Sequence, residues 1–75
     1  MKITGTRSYI DVEINGKVVR IDGEMLIGGF VANKDSIKKW QPPYENEVIN
    51  EKTKSKIIEG VINKTQGSHF EITFE

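Results

Sequence analysis

The chain has 75 residues, no cysteine and one histidine, and its 11 acidic side chains balance its 11 basic ones to a formal net charge of zero. This length makes one domain, residues 1–75, and the composition excludes disulfides, a cysteine nucleophile and a zinc site of cysteines or several histidines. The chain has no apolar run near the roughly 20 residues that span a bilayer and no signal-peptide core, so we expect a cytoplasmic protein without membrane contact.

The first predicted element is a β-hairpin. Tyr9–Ile14 alternates apolar and polar residues, Asn15-Gly16 suits a type I′ turn, and Lys17–Asp22 returns along the first strand. A two-residue turn places Asp11 opposite Arg20, where opposite charges stabilise the pair. The same register puts five apolar side chains on one core face: Ile10, Val12, Ile14, Val19 and Ile21.

A third strand is predicted next. Asp22-Gly23 has the chemistry of a second hairpin turn, and Met25–Ala32 then reads as a strand with Leu26 and Phe30 toward the core. Paired glycines in its middle, Gly28-Gly29, indicate either a bend such as a bulge or a close approach by another backbone. Their spacing does not match a phosphate-binding loop.

The connection Asn33–Tyr44 holds the only tryptophan and both prolines. Two interpretations of Trp40 stay open. In the first, Trp40 closes one end of the small core while Pro42 and Pro43 fix the path of the connection. In the second, Trp40 and Tyr44 form a partner-binding edge, because such rings supply large contact area with few rotatable bonds. Both can hold if one ring is half-buried.

A helix is predicted over Glu51–Gln66. Asn50 is a suitable N-cap, Glu51 favours the positive end of the helix dipole, and Gly67 is placed as the residue just past the C-cap. Apolar residues recur at helical spacing on one side, which predicts the face that packs on the sheet. That stripe contains Ile57, Ile58, Val61, Ile62 and Thr65.

The chain closes with a predicted strand, Phe70–Phe74, whose aromatic and aliphatic residues alternate with polar ones. The predicted fold is therefore α+β: a four-stranded, mostly antiparallel sheet in β-β-β-α-β order with one helix packed on one face. A right-handed crossover lays the last strand parallel to the first or the third strand. We expect it beside the first, as an edge.

Two stretches carry a family resemblance: Gly29-Phe30-Val31-Ala32 and Asp35-Ser36-Ile37-Lys38-Lys39-Trp40-Gln41-Pro42-Pro43. Together with the hairpin, the helix and the aromatic last strand, they resemble a family of predicted bacterial immunity proteins, number seventy-four among those of polymorphic toxin systems. The resemblance covers nearly the whole chain. It implies a gene beside a toxin gene and a non-catalytic antitoxin that neutralises its cognate toxin by binding it, without metal or cofactor.

The resemblance supplies no catalytic residue, and it directs attention to the second half of the shared motif. The predicted partner-binding residues are Ser36, Trp40, Pro42, Pro43 and Tyr44. We expect Trp40 and Tyr44 to be at least partly exposed and to lie near the Phe30–Ala32 end of the sheet. A weak homo-oligomer is an additional expectation.

The alternative function is a small nucleic-acid-binding or regulatory module. Lys34, Lys38, Lys39 and Trp40 would form its surface, with the lysines on phosphates and the indole stacked on a base. Asp35 within this cluster and the zero net charge of the chain both count against it.

Overall fold

The computed structural model describes all 75 residues. It contains five strands, a short 3-10 turn at Lys34–Ser36 and one α-helix. These are β1 (Lys2–Gly5), β2 (Tyr9–Ile14), β3 (Lys17–Leu26), β4 (Gly29–Ala32), α1 (Glu51–Thr65) and β5 (Glu71–Phe74). The strands form one sheet in chain order, in which the first four pair antiparallel and β5 runs parallel to β4. The sheet curls into a half-barrel.

The β2–β3 hairpin has the predicted register. Ile14 pairs with Lys17, and Asn15 and Gly16 both have positive φ, as a type I′ turn requires. Asp11 lies opposite Arg20 and accepts two hydrogen bonds from its guanidinium, at 2.9 and 3.1 Å. These bonds raise the pKa of the Arg20 guanidinium above its ordinary value. The hairpin prediction is therefore confirmed in its turn, its register and its charge pair. All three depend on residues that are close together in the sequence.

The predicted turn at Asp22-Gly23 is wrong. Strand β3 continues through Gly23 to Leu26, and the chain reverses only at Ile27-Gly28, where Gly28 has φ +79°. Glycine is required at position 23 for a reason other than a turn, since a Cβ there would collide with the Val31 carbonyl oxygen and the Phe30 ring. The glycine therefore allows close backbone approach between β3 and β4. Leu26, expected in the core, is half-exposed.

Of the two interpretations of Gly28-Gly29, close approach is confirmed for Gly29. A Cβ at Gly29 would lie 2.6 Å from the carbonyl oxygen of Glu71 on the neighbouring β5. Gly28, by contrast, forms the hairpin turn, so the stretch predicted as one strand over Met25–Ala32 belongs to two strands.

Strand β1 was not predicted, so the sheet has five strands where the sequence indicated four. Ile3 lies opposite Val12 and is the only large apolar residue in β1, which is too little to produce a visible alternation. Because β1 occupies the free edge of β2, the predicted position of the last strand is also wrong. The other alternative is confirmed: β5 runs parallel to β4, the second half of the predicted third strand, with Phe30 opposite Ile72.

Twelve apolar residues are buried between the concave face of the sheet, the helix and the central connection, and no charged or polar residue joins them. The helix contributes Ile57 and Val61, whereas Ile58 is half-buried and Ile62 is 38% exposed. The buried stripe is thus narrower than predicted. Phe70 precedes β5 and is 38% exposed, so the inward residues of that strand are Ile72 and Phe74. The buried set is Ile10, Val12, Val19, Ile21, Phe30, Ala32, Ile37, Trp40, Ile49, Ile57, Val61 and Ile72.

The helix begins at Glu51 as predicted and ends at Thr65, one residue before the predicted end at Gln66. The Asn50 side-chain oxygen accepts a hydrogen bond from the Thr53 amide at 2.8 Å, and Gly67 follows the C-cap with φ +79°. Gly60, inside the helix, lies against the Met1 side chain, whose Cε would lie 2.5 Å from an added Cβ.

We expect Asn50→Ala to lower the free energy of unfolding by about 1 kcal/mol, because the Thr53 amide loses its partner. For a domain of this size that corresponds to a fall of roughly 4–8 °C in the thermal midpoint, measured by circular dichroism. Asn63→Ala, at an exposed position in the last turn of the same helix, is the control and should not lower the midpoint. Equal midpoints for the two variants would contradict the capping role.

Candidate functional site

Ser36, one of the predicted partner-binding residues, forms hydrogen bonds within the fold. Its hydroxyl accepts a hydrogen bond from the Asp22 amide at 2.9 Å and donates to the Asn33 carbonyl at 2.7 Å. The Asn33 amide in turn donates to the Asp22 carbonyl at 2.7 Å. Ser36 therefore fastens the 3-10 turn to the middle of β3, and its polar atoms face the chain itself.

Trp40 is buried, with 8% of its surface exposed, so the expectation that it would be partly exposed is wrong. It also lies at the opposite end of the sheet from the one expected, beside Ile14 and Lys17 at the β2–β3 turn. The Gln41 amide holds this position by donating to the Val18 carbonyl at 2.7 Å. The interpretation that Trp40 closes one end of the core is confirmed.

The exposed remainder of the predicted site is the proline–tyrosine loop, Gln41–Val48. Pro42, Pro43 and Tyr44 are all exposed, and Val48 at the end of the loop is 80% exposed. The loop is nevertheless ordered by its own backbone. The Tyr44 amide donates to the Gln41 carbonyl at 3.0 Å, and the Glu47 amide donates to the Tyr44 carbonyl at 2.9 Å.

Lys17 ties this loop to the hairpin. Its Nζ lies 2.6 Å from Oε1 of Glu47, 5.1 Å from the centre of the Tyr44 ring and 5.9 Å from that of Trp40. The ammonium thus combines an ion pair with two cation–π contacts, each worth a fraction of a kcal/mol where solvent reaches it. The result is an aromatic corner, composed of Lys17, Trp40, Tyr44 and Glu47, whose exposed ring is that of Tyr44.

A second surface lies at the other end of the sheet. A groove of about 330 Å³, here called the seam groove, separates β1 from the C-terminal end of α1 and the residues that lead into β5. Its walls are mainly apolar, with one lysine at the rim. The lining residues include Ile3, Gly5, Met25, Lys64, Phe70 and Ile72.

The β3–β4 turn extends this apolar surface. Met25 lines the seam groove, and the adjoining Leu26 and Ile27 are exposed, Ile27 completely. Contiguous exposed apolar side chains on a small domain are typical of surfaces that contact another protein.

The basic surface of the alternative function is only partly assembled. Lys34, Lys38 and Lys39 are exposed, but Trp40 is buried and presents no free ring face on which a base could stack. The stacking half of that arrangement is therefore wrong for this fold.

No group of His, Cys, Asp or Glu side chains is arranged to hold a metal ion. The single α-helix is too short and too polar to cross a lipid bilayer. The only two ion pairs are Lys17–Glu47 and Asp11–Arg20, both on the surface.

Comparison with known proteins identifies the family of the chain. No curated protein and no solved structure matches it. Residues 2–75 match the family described as Immunity protein 74, so the match includes β1, the helix and the central connection alike. The chain therefore belongs to the Immunity protein 74 family.

Proposed function

We propose that this protein is the antitoxin of a bacterial polymorphic toxin system, acting in the cytoplasm of the cell that makes the toxin. It binds a cognate toxin protein and blocks it by contact alone, without catalysis. The observation that carries the proposal is the family match over residues 2–75. An immunity protein needs a partner surface, and two exposed surfaces of this domain have the required character.

The first is the proline–tyrosine loop. Pro42, Pro43, Tyr44 and Val48 are exposed on a segment already ordered by its own hydrogen bonds and by the Lys17–Glu47 ion pair. A preordered surface loses little conformational entropy on binding, and tyrosine is among the residues that contribute most to interfaces. In this arrangement Ser36 and Trp40 hold the loop in place, while Tyr44 and the prolines contact the toxin.

The test of the function is co-expression with the C-terminal domain encoded by the adjacent gene. We expect that domain to arrest growth when expressed alone, and this chain to restore growth and to co-purify with it. If the domain is toxic and the chain neither restores growth nor binds it, the proposed function is wrong.

The loop is tested with the two tyrosines of the chain, each changed to alanine. Tyr44→Ala should weaken toxin binding by at least about 2 kcal/mol, the threshold of an interface hot spot, or roughly 30-fold in Kd by calorimetry. Tyr9→Ala is the matched control, since Tyr9 lies on the outer face of the sheet with its ring 3.9 Å from the Arg20 guanidinium carbon. The reverse pattern would place the interface on that outer face, with Asp11, Glu13 and Arg20.

A further inference from the structure

Strand β1 has an open hydrogen-bonding edge. The Thr6 amide donates to the Tyr9 carbonyl at 2.8 Å, and Thr4 lies opposite Asp11. Because alternate residues of an antiparallel pair bond toward each other, the N–H and C=O groups of the intervening Ile3 and Gly5 point away from β2. No strand lies on that side, since β1 is first in the sheet.

The opposite edge of the sheet, β5, is partly covered by the helix. The Ile72 amide of β5 points away from β4 and donates to the Thr65 hydroxyl at 3.2 Å. The end of α1 thus covers the outer side of β5 at Ile72. Of the two edges, β1 is the one on which another chain can pair.

The seam groove runs beside this open edge. Ile3 and Gly5 form one wall, and Phe70 and Ile72 belong to the opposite side. A Cβ on Gly5 would lie 2.9 Å from Cγ2 of Ile10, so glycine here allows β1 to pack closely on β2. An extended segment lying along β1 would direct every second side chain into the groove.

The seam groove also contains one positive charge. Lys64 is the one charged residue that lines the groove, and it forms no ion pair. The groove therefore suits an apolar segment that carries a carboxylate at the level of Lys64. A partner of that composition would pack against the apolar walls, form hydrogen bonds with the open edge of β1 and pair its carboxylate with Lys64.

We infer that the toxin contributes an extended segment that pairs with β1 and inserts apolar side chains into the seam groove, with an acidic side chain opposite Lys64. This inference rests on the proposed function and specifies how the toxin is held. Strand addition of this kind takes its affinity from main-chain hydrogen bonds and its specificity from the side-chain pockets.

The two surfaces can be occupied by one toxin. Lys2, at the start of β1, lies opposite Glu13 near the β2–β3 turn, and Met1 lines the hollow that also contains Trp40 and Lys17. A segment that follows β1 from Gly5 toward Met1 therefore leads from the seam groove to the aromatic corner.

Amide hydrogen exchange tests the pairing directly. The Ile3 and Gly5 amides should exchange rapidly in the free chain. With an inactivated toxin domain at about 100 times its Kd, their exchange should slow by up to about 100-fold. If the toxin binds and these amides stay unprotected, the inference is wrong while the proposed function stands. If they are protected in the chain alone as its concentration rises, the edge pairs two copies and the inference is also wrong.

A proline at position 3 provides the second test. Ile3→Pro deletes an amide that points to the open edge, so it removes no bond to β2. Ile3→Ala is the matched control, because it loses the same packing but retains the donor. We expect Ile3→Pro to bind the toxin about threefold to tenfold more weakly than Ile3→Ala, the worth of one hydrogen bond. Equal affinities, with both variants folded, would contradict pairing at Ile3.

The lysine is tested against another lysine of the same helix. Lys64→Gln should weaken toxin binding about twofold to fivefold, as for an exposed ion pair, and the loss should shrink at high salt. Lys52→Gln, in the first turn of α1 and outside the groove, should bind like the wild type. Equal losses in both variants would show a general charge effect and would contradict a carboxylate opposite Lys64.

Discussion

Trp40→Ala is expected to lower the free energy of unfolding by about 3–5 kcal/mol, the cost of deleting a buried aromatic side chain. The ring is 8% exposed and belongs to the core cluster, so its removal leaves a cavity between the hairpin and the start of α1. Small domains have little stability in reserve, so much of the variant would be unfolded at growth temperature. Urea denaturation of purified protein measures the loss.

Tyr44→Ala is the matched variant, because Tyr44 belongs to the same corner but is 38% exposed. It should change the free energy of unfolding by less than about 1 kcal/mol. A failure of Trp40→Ala to protect cells would then report lost folding, whereas a failure of Tyr44→Ala would report lost contact with the toxin. Equal unfolding midpoints for Trp40→Ala and the wild type would contradict the burial of the ring.

Gly23→Ala should destabilise the fold by about 3 kcal/mol, the upper end of the range for overpacked positions. The added methyl group would collide with the Val31 carbonyl oxygen and the Phe30 ring. One obstacle is backbone and the other is a fully packed core ring, so neither can move without opening the β3–β4 pairing. A lower denaturation midpoint with an unchanged slope would identify a loss of native stability.

Gly60→Ala is the control for the same chemical change. Its new Cβ would meet only the terminal methyl of the flexible Met1 side chain, which can move aside. Alanine also has a higher helix propensity than glycine, so this variant should be more stable than the wild type by up to about 1 kcal/mol. If both glycine variants lose stability equally, close approach at Gly23 is not what requires glycine there.

The sequence predicted the parts of the fold that depend on neighbours in the chain. The β2–β3 register follows from Asn15-Gly16 and the alternation around it, and the helix limits follow from Asn50 and Gly67. The turn predicted at Asp22-Gly23 was wrong because the same dipeptide suits both a tight turn and a close approach between strands. Only the position of Phe30 and Val31 on the next strand distinguishes the two, and that contact is not local.

The site was harder to predict than the fold for the same reason. Whether Trp40 faces solvent depends on the free edge of the first half of β3, where Gln41 bonds to Val18. The Lys17–Glu47 pair joins residues 30 positions apart and has no sequence signal. The open edge of β1 could not be inferred while β1 itself, with Ile3 as its one large apolar residue, gave no visible alternation.

Because the strands lie in the sheet in the same order as in the chain, the order in which they pair during folding can be inferred. Strands β1 to β4 pair through short connections, which form quickly because little chain entropy is lost. The parallel pairing of β5 must wait until residues 33–70 have closed into the helix-containing crossover. Before that step, the newly made sheet has two unprotected edges, β1 and β4. A nascent chain is most prone to aggregate with its own copies during this interval. Docking of β5 then covers the β4 edge and removes one of the two sites at which copies can pair.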